Sequence, residues 1–186
     1  MSPYSYLFRQ APRWLINQKF RRQQLTPELQ SWIYEVNSLT QRLRANFGQS
    51  VGVSILYQGW RRPYIDEARR LNLAGNQCAL IREVVLHAHQ QPLILARSII
   101  PKATIAVANR NLSHLGTRPL GEVIFSYPNL QRLNLDITQT PLCHWSSAAR
   151  NRFELSHAIW GRRTIYAIPT ETMLVSEFFL PALINR

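Results

Sequence analysis

The sequence predicts one α+β domain, an antiparallel sheet with helices packed against it. Two helix starts are gathered near the front of the chain, at Thr26 and Ser38. Six strand-like runs follow, at 51–60, 79–88, 92–100, 130–137, 164–168 and 172–180. Short polar turns join several of them, and such turns favour antiparallel pairing over helical crossovers.

Residues 1–24 read as a basic N-terminal arm, with Trp14, Leu15 and Phe20 offering limited anchoring, and 25–186 as the single domain. Thr26-Pro27-Glu28 is a hydroxyl N-cap, a proline at the first helical position and an acid at the positive end of the helix dipole. Leu29, Trp32 and Ile33 form its buried stripe. Ser38 and Gln41 read as a capping box that starts a second helix, running to about Phe47-Gly48. Residues 61–77 are polar and arginine-rich and read as a loop. His89-Gln90-Gln91 turns a hairpin between two apolar runs, and Pro169-Thr170-Glu171 turns the last one. Residues 103–119 fit a short helix or a long loop, and 139–156 a polar connection.

Two charges break the apolar runs. In 172–180, Glu177 shares a strand face with Met173, Val175 and Phe179. In 79–88, Arg82 shares one with Leu80, Val84 and Leu86. A charge on such a face loses water and must be compensated. With only 10 acidic residues against 22 basic ones, a glutamate on an apolar strand face marks a candidate functional position. The pair either forms a structural bridge between strands or brackets a small anionic molecule. Arg97 repeats the pattern with Leu93, Leu95 and Ile99. It reads as an edge arginine with a buried stem and a wet head, or as a second cation for a ligand. Thr117-Arg118-Pro119-Leu120-Gly121 fits a plain turn or a pocket lid hinged at Gly121.

Composition excludes several classes. An apolar content of 46% and a charged content of 17% suit a globular protein. No run approaches the roughly 20 apolar residues that cross a bilayer, so no membrane insertion is expected. The front of the chain lacks a secretory pattern, and Cys78 and Cys143 read as free thiols of a cytoplasmic protein. The net charge of +12 rests on scattered arginines, with Lys19 and Lys102 the only lysines. Without a basic block, no nucleic-acid partner is expected. Phosphate-loop, dinucleotide and HExxH motifs are missing, and His87 with His89 lacks a third ligand. No metal and no cofactor are expected.

Five segments in order resemble the chorismate pyruvate-lyase family: Ile81–Leu86, Ala96–Pro101, Leu115–Gly121, Trp160–Arg163 and Ser176–Pro181. The resemblance covers about Leu25 to Leu183. It implies a six-stranded antiparallel sheet with a buried ligand site under two flaps, and the elimination of pyruvate from chorismate to give 4-hydroxybenzoate at the head of ubiquinone synthesis. It implies no cofactor, inhibition by a slowly released product, and a monomer. By residue, it assigns Arg82 to the ring carboxylate and Glu177 to the ring hydroxyl, these two being the catalytic pair. Leu120 contacts the ligand through its backbone. Leu39 stands where the family typically has methionine, a swap of similar volume. Arg97 is a candidate for the second carboxylate. The connection at 139–156 is longer than the family pattern, which puts the shape of a flap in question. The competing reading is a sensor domain of the same fold, without turnover.

Overall fold

The computed structural model describes residues 5–16, 25–108 and 112–184. Its centre is an antiparallel sheet of six long strands: β2 (Val51–Arg61), β3 (Ala79–Ala88), β4 (Gln91–Pro101), β5 (Gln131–Thr140), β6 (Ile159–Ile168) and β7 (Glu171–Phe179). A two-residue strand, β1 (Leu15–Ile16), extends one edge. The spatial order is β1-β5-β6-β7-β4-β3-β2. The hairpin β3–β4 turns through His89 and Gln90 with positive φ of 47° and 67°, a turn whose twist matches the flanking strands.

Helices α1 (Pro27–Ile33) and α2 (Leu39–Phe47) start where expected. Thr26 Oγ1 accepts from the Leu29 amide, and Ser38 Oγ from the Gln41 amide. Both pack on one face of the sheet, burying Leu29, Trp32, Ile33, Leu39 and Leu43 against Val84, Leu86, Ile94 and Phe179. Further along the same face, α4 (Lys102–Val107) and α5 (Leu120–Ile124) cover Leu80, Ile100, Met173 and Val175.

Three segments differ from the sequence expectation. Residues 61–77, read as a loop, contain α3 (Ile65–Arg70). Acids in its first turn, arginines in its last and the Tyr64 amide donating to Glu67 Oε2 at 2.9 Å stabilise it without an apolar stripe. The connection at 139–156 contains α6 (Ser147–Arg152) and packs on the opposite face of the sheet, where Trp145 and Ala149 are buried. It therefore does not shape the cover of the cavity described below. The first segment is anchored more firmly than its composition suggests. Leu7 and Phe8 are fully buried with Trp145 and Phe178. Phe20 lies outside the described residues.

The helix-covered faces are not apolar throughout. Tyr57, Glu83, Arg97, Ser176, Arg163 and Asp136 form one cross-strand row on the back face. Helix α3 closes over this row with Asp66, Glu67 and Arg70. The cavity lies on the other face.

Candidate active site

The cavity is small, about 50 Å3, and suits a single small molecule. Its floor is the sheet: Arg82, Val84 and Leu86 of β3, Ala96 and Ser98 of β4, Val175 and Glu177 of β7, and Arg162 and Tyr166 of β6. Its cover is the start of α2, with Leu39 and Thr40, and the segment Pro119–Gly121 running into α5. Leu39 and Leu120 are each the first residue of a helix, and first-turn amides lack intrahelical acceptors. Each therefore brings to the cover an N–H with no acceptor among the described residues. Gly121 lies inside α5 and serves close packing. A Cβ there would stand 3.0 Å from Ser38 Oγ. The positive φ of the segment, 51°, is at Gly116 instead.

Arg82 is 2% exposed. Its Nη1 donates to Gln58 Oε1 at 2.8 Å and to the Gly116 carbonyl at 2.7 Å, and its Nη2 to the Arg118 carbonyl at 3.1 Å. These acceptors are neutral. Four arginines are buried among the described residues, and Arg97, Arg162 and Arg163 all pair with carboxylates. Arg82 does not, and burial pushes its pKa below the ordinary value. A buried guanidinium without a counter-ion is a prepared seat for an anion.

Glu177 is brought to the same cavity, but its ion-pair partner is Arg162, not Arg82. The two stand opposite each other in the β6–β7 register, with Arg162 Nε donating to Glu177 Oε2 at 2.6 Å. Arg162 Nη1 also donates to the carbonyls of Ile33 and Glu35 at 3.0 and 2.7 Å, tying the end of α1 to the floor. Sequence reasoning missed Arg162 because β6 was started at Thr164. With the strand begun at Ile159, Arg162 falls on the cavity face with Thr164 and Tyr166, and that phase was the available clue. Tyr166 was missed as well. Burial first, then the Glu177 carboxylate, pushes its phenol above the ordinary pKa.

Arg82 and Glu177 lie two strands apart and two residues out of line, since Arg82 pairs Ser98 and Glu177 pairs Ala96. Strand spacing and rise then put their backbones roughly 12 Å apart. Both side chains line the cavity between these positions.

Arg97 is not brought to this cavity. It sits on the back face, 1% exposed, with Nε 2.8 Å from Glu67 Oε1 and Nη1 2.7 Å from Glu83 Oε1. Its head is therefore neither wet nor available to a ligand on the other side. Burial opposes its charge, but Glu67 and Glu83 more than offset this and hold its pKa above the ordinary value. The physical reason is register: Arg97 pairs Glu83, the neighbour of Arg82, and neighbours on a strand face opposite ways. His87 and His89 are each near a serine hydroxyl, Ser54 and Ser50. No group of three or more metal-ligating side chains occurs among the described residues.

Fold and site together define a small-ligand domain in which the sheet holds an unpaired cation and a paired carboxylate at opposite ends of a covered cavity. The family model for chorismate lyase matches residues 10–186, and the chain belongs to that family. It is 40% identical over 157 residues to a protein of Methylococcus capsulatus named "Probable chorismate pyruvate-lyase", covering 84% of this chain and 97% of that one. A protein of Thiobacillus denitrificans with the same name is 34% identical over 159 residues, covering 84% of each. Among solved structures, PhnF from Mycobacterium smegmatis superposes with a TM-score of 0.58 at 12% identity, over 81% of this chain and 67% of that one. The ligand-binding domain of a GntR-family transcriptional regulator from Bordetella bronchiseptica gives 0.53 at 13%, over 72% and 87%. The latter two likenesses are of fold alone.

Proposed function

We propose that this protein is a chorismate pyruvate-lyase, converting chorismate to 4-hydroxybenzoate and pyruvate. The observation that carries the reading is Arg82, a buried guanidinium without a carboxylate partner among the described residues, lining the same cavity as Glu177. Family membership and the names of its relatives support the same reaction.

Chorismate carries a ring carboxylate, a hydroxyl para to it and an enolpyruvyl ether on the carbon beside the hydroxyl. Arg82 takes the ring carboxylate, its planar fork replacing the carbonyls of Gly116 and Arg118 with a charged partner. The amides of Leu39 and Leu120 add donors from the cover. Glu177 receives the ring hydroxyl and orients the carbon that bears it. The ether C–O bond breaks, the hydrogen on the hydroxyl-bearing carbon leaves, and the ring becomes aromatic. The departing enolpyruvate takes up a proton and becomes pyruvate. Aromatisation drives the step, so the protein contributes one reactive conformer and fixed dipoles rather than redox power. Both covering segments must part to release the product, which makes release slow and 4-hydroxybenzoate an inhibitor. The role fits the first committed step of ubiquinone biosynthesis, carried out in the cytoplasm by a monomer.

The test is to mix purified protein with chorismate, without added metal or nucleotide, and follow both products. Equimolar 4-hydroxybenzoate and pyruvate is the expected result. The second reading is a sensor domain, favoured by the fold shared with the ligand-binding domain of a transcription regulator. Tight binding of 4-hydroxybenzoate with no turnover of chorismate would select it.

A further inference from the structure

Chorismate has two carboxylates, and Arg82 accounts for one. Arg97 is turned away on the back face, 1% exposed and paired with Glu67 and Glu83. On the chorismate reading, the ring hydroxyl meets Glu177, and the enolpyruvyl group sits on the neighbouring ring carbon. Its carboxylate must then lie within a few ångströms of Glu177, and the cation there is Arg162.

Arg162 has a donor to spare. Nε serves Glu177, and Nη1 serves the carbonyls at the end of α1. Nη2 donates to no described residue, while the side chain lines the cavity. Charge balance points the same way. Arg132 stands behind this end, its Nη1 on the Glu35 carbonyl at 2.8 Å and its Nη2 on Thr164 Oγ1 at 3.4 Å. It makes no ion pair with a carboxylate among the described residues. Arg162 contacts the Glu177 carboxylate and Arg132 is near enough to feel its charge, while Glu35, the other carboxylate acting on Arg132, is paired with Arg42, leaving one positive charge in excess. Tyr166, four residues along β6 from Arg162, also lines the cavity; its phenol feels the charges of Glu177 and Arg162 and is a neutral hydrogen-bond donor at neutral pH.

We propose that Arg162 Nη2, backed by the charge of Arg132 and the hydroxyl of Tyr166, is a second carboxylate subsite that selects dicarboxylates over 4-hydroxybenzoate-like monocarboxylates. The arrangement also places a fixed cation where negative charge grows on the leaving enolpyruvate. Arg162 is thus both a ligand-binding residue and the residue that positions Glu177.

The test uses a probe that binds without reacting, 3-(carboxymethoxy)-4-hydroxybenzoate, beside 4-hydroxybenzoate. Its dissociation constant is measured for wild type, Arg162→Gln and Tyr166→Phe. Wild type should prefer the dicarboxylate by about tenfold. Arg162→Gln should lose that preference and raise KM for chorismate; because it also releases Glu177 it should weaken 4-hydroxybenzoate as well, but by a clearly smaller factor than the dicarboxylate. Absence of preference in wild type overturns the subsite, as does parallel loss of both ligands in a folded Arg162→Gln protein. Arg162 also holds the end of α1, so a second variant covers the case in which Arg162→Gln does not fold. Tyr166→Phe then decides: the subsite requires a weaker dicarboxylate preference, and an unchanged one overturns it. Binding is read without turnover, so failure of the lyase reading would show separately, as dicarboxylate preference without product.

Discussion

Glu83 and Arg97 face each other across β3 and β4, 2.7 Å apart, on the side of the sheet turned away from the cavity. This pairing sets the phase of both strands. With Glu83 drawn to the back face, Arg82 must project from the other, where no carboxylate meets it. Glu83 also accepts from Ser5 Oγ and the amides of Tyr6 and Leu7, so the same side chain anchors the first segment of the chain.

Removing Arg97 should cost stability and not specificity. Arg97→Met leaves Glu67 and Glu83 buried without their cation, a loss of about 3–5 kcal/mol in urea unfolding. In the protein that remains folded, affinity for 4-hydroxybenzoate should stay within about threefold of wild type, because the two sites lie on opposite faces.

Arg82→Met should do the reverse. No carboxylate compensates Arg82, so the apolar replacement relieves a buried charge and leaves the melting temperature unchanged or higher. Affinity for 4-hydroxybenzoate should fall by about 100-fold, the worth of hydrogen bonds between charged groups. Calorimetry of unfolding and of binding on one preparation checks both halves.

Gly161 is the contact point behind Glu177. A Cβ there would lie 2.6 Å from Phe178 Cδ1 and 2.9 Å from the Glu177 carbonyl. Gly161→Ala should therefore destabilise by about 1–3 kcal/mol, as overpacked cores do. It should also lower turnover in the folded fraction by displacing the carboxylate. A variant as stable and active as wild type would remove this constraint.

Tyr166 gives a pH dependence of known sign. Burial, then Glu177, raises its pKa in the folded state above the ordinary phenol value. The neutral phenol's contribution is fully present below the unfolded pKa, and it is lost as pH rises through the folded one. Stability should fall above about pH 10, and Tyr166→Phe should flatten that fall. Denaturant midpoints at several alkaline pH values, compared between the two proteins, measure it. Tyr64, also raised by burial, titrates in both and cancels in the difference.

Much of this was legible from spacing. The helix caps at Thr26 and Ser38, the six strands and the two hairpin turns follow from local rules, and local rules decided them. Arg82 and Glu177 stood out because a charge interrupts a period-two apolar face. Leu39 and Leu120 came from the family resemblance, and both line the cavity. What stayed hidden depends on long-range pairing. Arg97 shows the same local pattern as Arg82, and only its register with Glu83 sends it to the other face. Arg162 belongs to a strand whose first half reads Trp-Gly-Arg-Arg, too polar to be recognised until Glu177 is placed opposite. Helix α3 is held by its charges and by the buried Glu67–Arg97 pair, which a search for apolar stripes passes over.

The most direct measurement is chorismate turnover by folded Arg82→Met beside wild type, following 4-hydroxybenzoate and pyruvate together. The predicted result is equimolar product from wild type and a fall in kcat/KM of at least about 100-fold in the variant, with its melting temperature kept. Near-wild-type turnover by the folded variant would contradict the placement of the substrate carboxylate on Arg82, and with it the assignment of this cavity as the active site.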